Sequence, residues 1–163
     1  MKNKVKILKQ NGYNFLWIED YLWMWDIPVE QEAQKRLASQ AFGNVLVAGY
    51  GLGIAQKFLI RNPKVNSLLT IEINPDVIKE CKRVFGEIYG EVEIADFLKY
   101  KGGKFNCVIG DIWEDIVPES LEKYKEFKDK CKNLIKPDGK IIAWGQEFFE
   151  YLLKEENENK IQE

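Results

Sequence analysis

The stretch Val45–Ala55, VLVAGYGLGIA, decides how the chain is read. Residues 45–48 form an uninterrupted apolar run, the pattern of a parallel strand buried on both faces. Directly behind it, Gly49, Gly51 and Gly53 alternate with other residues. Each glycine weakens regular structure. One suffices for a strand-to-helix turn, whereas three at one reversal imply a backbone that something must approach closely. A side chain at 51 is therefore expected to collide with a bound ligand. From Leu52 the period changes, and Leu52, Ala55, Phe58 and Leu59 fall on one helical stripe that ends near Asn62-Pro63.

The same alternation continues toward the C-terminus. SLLTIE (67–72) reads as a second strand. Asn74-Pro75 opens a helix, with asparagine as cap and proline in the first turn. Val77, Ile78, Cys81 and Val84 form its apolar face, and Gly86 ends it. EVEIAD (91–96) and FNCVIGD (105–111) are a third and a fourth strand. Leu121, Tyr124, Phe127 or Lys128, Cys131, Leu134 and Ile135 mark a longer helix; Pro137-Asp138-Gly139 reads as a turn, KIIAW (140–144) as a fifth strand and 146–156 as a last helix. Strand and helix alternating at this spacing predict an α/β fold, an open, mostly parallel, Rossmann-like sheet with helices on both faces. Ligands of such sheets bind outside the carboxyl ends of the strands, where the strand order reverses. Acids recur on that rim, with Glu72, Asp96 and Asp111 each ending one of the next three strands.

The N-terminal part differs. VKIL (5–8) and YNFLWI (13–18) flank Asn11-Gly12, a strong hairpin signal. YLWMW (21–25) adds a third strand, and VEQEAQKRLA, following Pro28, reads as an amphipathic helix leading into the sheet. The expected organisation is an N-terminal β-hairpin appendage over 1–27, whose aromatics wall a pocket, a ligand-binding domain over 28–156, and a frayed tail over 157–163.

Composition narrows the function classes. The chain has 163 residues, 45% of them hydrophobic, which suits one core. A net charge of -2 and only three arginines (Arg36, Arg61, Arg83) give no nucleic-acid footprint. No apolar run approaches the roughly 20 residues of a membrane span. The start, MKNKVKILKQNG, lacks the apolar stretch of a secretory signal. Cys81, Cys107 and Cys131 sit in apolar patterns and read as buried thiols of a reducing, cytoplasmic compartment; with no histidine in the chain, no metal site is expected.

The glycine loop is not the dinucleotide fingerprint, because its third glycine is Gly53 and position 54 is Ile. Nor does the Gly-Lys-Ser/Thr of a phosphate loop follow. Gly-x-Gly-x-Gly with an acid about 20 residues on suits a nucleoside without a diphosphate, Glu72 accepting from both ribose hydroxyls. The chain here resembles the class I S-adenosylmethionine-dependent methyltransferases, and among them the spermidine synthase-like branch. The resemblance rests on VLVAGYGLG, TIEINPDVIK, IADFL, FNCVIGDIWED and LIKPDGKIIAWGQE in the family's order, covers about residues 13–150, and extends to FLWIEDYLWMWD in the hairpin. It implies S-adenosylmethionine as cofactor, with Gly49, Gly51 and Gly53 facing its amino-acid part and sugar. It also implies Glu72 on the ribose, Ile73 against the adenine, Asp96 on the adenine amino group and Phe97 beside the ring. Asp111, with Glu114, would face the reacting centre and a small-molecule acceptor, one bearing an amine among the candidates.

The chain departs from that pattern in several places. Val47 stands where many methyltransferases carry an acid. Asp111-Ile112-Trp113-Glu114 replaces the D-x-x-D pair of polyamine synthases, and their Tyr-His pair is absent, with Glu30 and Glu32 offered instead. The family's last two strands are expected to be missing or reduced, a shortened C-terminus that leaves a sheet edge for a homodimer partner to cover. Plainer readings stand beside these. Glu72 can be a solvated strand end, Asp96 and Asp111 helix caps, Glu114 a surface charge, Glu30 and Glu32 a solvated face, 123–132 likewise, and Trp113, Trp17, Trp23 and Trp25 packing residues. Three functions follow: methyl transfer, aminopropyl transfer from a decarboxylated donor, or a non-catalytic nucleoside-binding module.

Overall fold

Five apolar runs pair side by side into one parallel sheet, and the segment before them folds into a sheet of its own. The computed structural model describes residues 4–113 and 115–162. At the N-terminus β1 (Val5–Gln10), β2 (Tyr13–Ile18) and β3 (Tyr21–Trp25) form an antiparallel meander. Its first turn is Asn11-Gly12, with φ of 52° and 83°, the doubly positive geometry that matches the twist of paired strands. Helix α1 (Pro28–Ser39), with proline in its first turn, leads to β4 (Gly43–Ala48). There follow α2 (Ile54–Ile60), β5 (Val65–Glu72), α3 (Pro75–Phe85), β6 (Glu91–Ile94), β7 (Phe105–Gly110), α4 (Leu121–Cys131), β8 (Ile135–Ala143) and α5 (Gln146–Gln162).

The strand order is β6-β5-β4-β7-β8, every neighbouring pair parallel. The chain steps outward from β4 to β6, then returns to the other side of β4 and steps outward again. The order therefore reverses between β4 and β7, which opens a crevice at their carboxyl ends. Side chains alternate across β4. Leu46 and Ala48 pack with Val108, Phe127, Tyr124 and Phe149 on the α4–α5 face, whereas Val45 and Val47 pack with Leu59, Ile109 and Ile142 on the other. A third cluster joins Ile7 and Leu16 of the meander to Tyr50, Leu52, Val77 and Cys81. The meander is pinned there by the Ile7 amide, which donates to Glu80 Oε2 at 2.9 Å. All three cysteines are buried and unpaired. Among the described residues no helix is long and apolar enough to cross a membrane.

Two sequence expectations are corrected. Pro137-Asp138-Gly139 is not a turn ahead of the last strand but lies inside β8, where the pairing jumps from Phe105–Ile135 to Cys107–Lys140. A bulge absorbs the extra residues, and β8 pairs only with β7, so the missing proline N–H breaks no second ladder. The last helix does not end at 156, because α5 continues to Gln162. Its last residues are exposed, and glutamate, lysine and glutamine favour helix without packing.

The core on the α4–α5 face centres on Phe127, fully buried and 5.6 Å, centroid to centroid, from both Phe97 and Trp113. A Cβ on Gly110 would lie 2.4 Å from its ring. Phe127→Ala is expected to lower stability by about 3–5 kcal/mol, read as a lower urea midpoint at unchanged slope.

Candidate functional site

A cleft of about 750 Å3 lies over the carboxyl ends of β4, β5 and β7, walled by Leu16, Ile18, Trp23 and Met24 of the meander. The pocket wall expected of the N-terminal aromatics is thus supplied by Trp23 and Tyr21, while Trp25 is 39% exposed. Gly49 and Gly51 line its floor.

The glycine loop is shaped first by the chain itself. Gly49, Gly51 and Gly53 all have positive φ. A Cβ on Gly51 would lie 2.6 Å from the Met24 sulfur, which also accepts from the Leu52 amide at 3.4 Å. A side chain at residue 51 would therefore already collide with Met24 of β3. The Cys81 thiol donates to the Gly51 carbonyl at 3.3 Å, and burial pushes that thiol up to about 12, so it stays a donor. From beneath, Gln56 Nε2 donates to the Gly49 carbonyl at 3.2 Å and to Thr70 Oγ1 at 3.1 Å.

Glu72 ends β5 inside the cleft and is 7% exposed. Oε1 accepts from the Tyr50 amide at 2.9 Å and Oε2 from the Asn74 amide at 2.8 Å. Burial raises its pKa, and these backbone donors oppose the rise. The carboxylate thus fastens the glycine loop to the strand end, and each oxygen retains acceptor capacity for a ligand hydroxyl. Asn74 caps α3 by accepting from Asp76 N at 3.0 Å, as its sequence predicts.

The remaining nucleoside-site candidates reach the same cleft in different ways. Ile73 is 68% exposed at the rim. Asp96 lines the wall while its Oδ1 accepts from Leu98 N at 3.0 Å, capping the short 3-10 turn Phe97–Lys99. Phe97 borders the cleft but is buried against Phe127. Trp113 faces the core, where its Nε1 donates to the Trp144 carbonyl at 3.1 Å. Glu114 lies outside the described residues.

On the opposite rim Asp111 follows β7, half-buried, and accepts from Gln34 Nε2 at 3.2 Å. The same nitrogen donates to Glu30 Oε1 at 2.9 Å. Burial first, and then the nearby Glu30 charge, push Asp111 up to about 7, while the Gln34 bond pulls the other way. Burial also raises Glu30. Glu30 is therefore not the plain solvated helix residue that its spacing suggests, whereas Glu32 is exposed. Lys123 and Glu126 of α4 line the cleft as well, so one end of the 123–132 segment is a wall and not only a solvated face.

Sequence reasoning missed Gln34, Gln56 and Met24. The two glutamines carried a faint signal, each being a polar residue at a position its helix buries; Met24 carried none, because its contact with Gly51 depends on how the meander docks.

No protein-family model matches the chain. A polyamine aminopropyltransferase of Sulfolobus acidocaldarius is 27% identical over 113 residues, covering 61% of this chain and 37% of that protein. Spermidine synthase of Thermotoga maritima superposes with a TM-score of 0.65 over 87% of this chain and 53% of its own, at 18% identity. An S-adenosylmethionine-dependent methyltransferase of Clostridium acetobutylicum gives 0.52 over 72% and 50%, at 15% identity. The chain thus spans little more than a third of the curated relative and about half of the two solved chains. By these superpositions the chain has the Rossmann-like fold seen in the S-adenosylmethionine-dependent methyltransferase and spermidine synthase structures.

Proposed function

We propose that the cleft binds a sulfonium nucleoside of the S-adenosylmethionine type and that the chain transfers its methyl group to an amine-bearing acceptor. The observation that carries this reading is the pair of carboxylates on opposite rims of one crevice, Glu72 beside the glycine loop and Asp111 at the end of β7. Glu72 would hold the ribose, with Asp96 and Ile73 toward the base. Asp111 would face the acceptor.

The chemistry asks little covalent help of the protein. A bound sulfonium donor would supply an activated methyl group to the acceptor nitrogen, the electron pair of its carbon–sulfur bond staying on sulfur as a neutral thioether. The new ammonium then gives one proton to the Asp111 carboxylate. Holding nitrogen, carbon and sulfur in line supplies most of the rate, up to about 7–11 kcal/mol. An acid near neutrality suits a proton acceptor, since it is partly ionised and still basic enough to take the proton.

A second reading is aminopropyl transfer from the decarboxylated donor. It draws support from the two carboxyl groups, Glu30 and Asp111, brought to one place, which suits a polycationic acceptor, and from the similarity to an aminopropyltransferase. Calorimetric titration with S-adenosylmethionine, its demethylated product and the decarboxylated form separates the readings. One site per chain for the first two supports methyl transfer, and preference for the third supports aminopropyl transfer. Folded protein that takes up none of them removes both.

Glu72→Gln places an NH2 against backbone donors and removes the charge at the ribose. We expect a loss of about 1.5–3 kcal/mol in donor binding, roughly tenfold or more in affinity. Unchanged affinity would make Glu72 a loop anchor only.

Asp111→Asn keeps size but cannot take a proton, so single-turnover transfer should fall far more than donor affinity. The same variant has a second signature. Asp111 ionises near 7 in the folded chain and near its ordinary 3.8 when unfolded. Its contribution to stability is thus complete at low pH and lost as pH rises through 7. The variant is expected to melt above wild type at pH 8, with the gap closing toward pH 4; a gap independent of pH would contradict the buried, raised carboxyl.

A further inference from the structure

Gln34 is 1% exposed on α1, between two carboxyl groups. Helix geometry sets Glu30 one turn earlier on the same face. The end of β7 brings Asp111 from the sheet. Nε2 carries two hydrogens, and both have a carboxyl partner, Glu30 Oε1 at 2.9 Å and Asp111 Oδ2 at 3.2 Å. The oxygen–nitrogen assignment of this amide follows from its neighbours, because two acceptors flank the nitrogen.

We propose that Gln34 is a positioning residue for the transfer step: by bridging Glu30 and Asp111 through one amide nitrogen it couples the two carboxyl groups and holds the Asp111 carboxylate at the cleft as a proton acceptor. This rests on the reading of the cleft as a transfer site. Two carboxyl groups tied to one neutral amide cannot both ionise freely, since each charge raises the cost of the other. Such a pair loses its protons in two steps that belong to the pair. Burial acts in the same direction at both groups. The bridge acts against it, because an amide N–H bonds most strongly to an ionised oxygen.

Lys123 and Glu126 of α4, Glu72 of β5 and Asp96 beyond β6 are the other charged residues that line the same cleft. Half-ionised, the pair presents an arriving ammonium with one net negative charge and one carboxylate able to take a proton. Doubly ionised, it would hold the ammonium protonated and unreactive; doubly protonated, it could accept nothing.

The test reads the protons directly, with no donor or acceptor present. Side-chain carboxyl 13C shifts are followed against pH in wild type, Gln34→Met and Glu30→Gln. Gln34→Met keeps the length of the chain and removes both bonds, and Glu30→Gln is isosteric at a half-buried helix position. Asp111 in wild type is expected to titrate near 7. Its midpoint should rise by roughly one unit in Gln34→Met, where the bond to the ionised form is gone, and fall by a similar amount in Glu30→Gln, where the like charge is gone. An Asp111 midpoint unmoved by Glu30→Gln, the variant least apt to disturb folding, overturns the pair. A midpoint unmoved by Gln34→Met overturns the bridge. Donor calorimetry on the same samples keeps the two readings apart: failure of wild type to bind any sulfonium nucleoside removes the transfer reading, whereas a fixed Asp111 titration in a protein that binds donor removes only the pair. With donor bound, Gln34→Met should move the pH at which single-turnover transfer is half-maximal in step with the Asp111 midpoint, leaving the donor dissociation constant within about twofold.

Discussion

The carboxylate of Glu72 is the constraint on which the cleft depends. It is a charge-bearing group taken out of water at the end of a central strand, a placement that costs several kcal/mol unless the group is hydrogen-bonded. The Tyr50 and Asn74 amides supply the bonds, one from the glycine loop and one from the first turn toward α3. Two loops that leave different strands are thereby held by one side chain. Gln56 and Cys81 add a bond each to carbonyls of the same loop. A ligand arriving at this crevice meets a backbone already in place, so little ordering remains for binding to offset.

The meander is part of the same construction. Met24 of β3 sits over Gly51, and Ile7 of β1 is tied to Glu80 of α3. A hairpin alone is marginal in water, and these contacts with the sheet domain provide the packing that fixes its position. Because the cleft wall comes from the meander and the floor from the sheet, the volume between them is set by that docking.

The fold was largely legible in the sequence because burial on both faces leaves continuous apolar runs, and because caps and turns carry their own chemistry. Asn74-Pro75, Gly86 and Asn11-Gly12 each do what their residue types require. Legibility failed where a local signal met a tertiary one. Pro137-Asp138-Gly139 is turn chemistry, yet at the sheet edge it is absorbed as a bulge. The rim acids Glu72, Asp96 and Asp111 were visible from their place at strand ends. Gln34 left only a faint trace, since it is the tertiary fold that brings α1 beside the end of β7 and so Gln34 to Asp111. Glu30 was noticed for its charge but not for its partner. Gly51 was read correctly as a point of close approach, and Met24, which nothing in the sequence placed there, is one group that approaches it.

The two rim carboxylates show how environment divides one chemical group into two roles. Both are withdrawn from water, and burial is the leading influence on each. At Glu72 the compensation comes from backbone N–H groups, whose partial positive charges are fixed and favour the anion. At Asp111 the nearest compensation is one amide N–H shared with a second acid, and that acid's charge adds to the penalty. The first arrangement suits a permanent acceptor for ligand hydroxyls. The second leaves a carboxyl balanced between its two forms near neutral pH, the property a group needs to exchange a proton within a reaction. An anion held for hydrogen-bond donors and a carboxyl poised to exchange a proton can thus sit on opposite rims of one crevice without either drifting into the other's state.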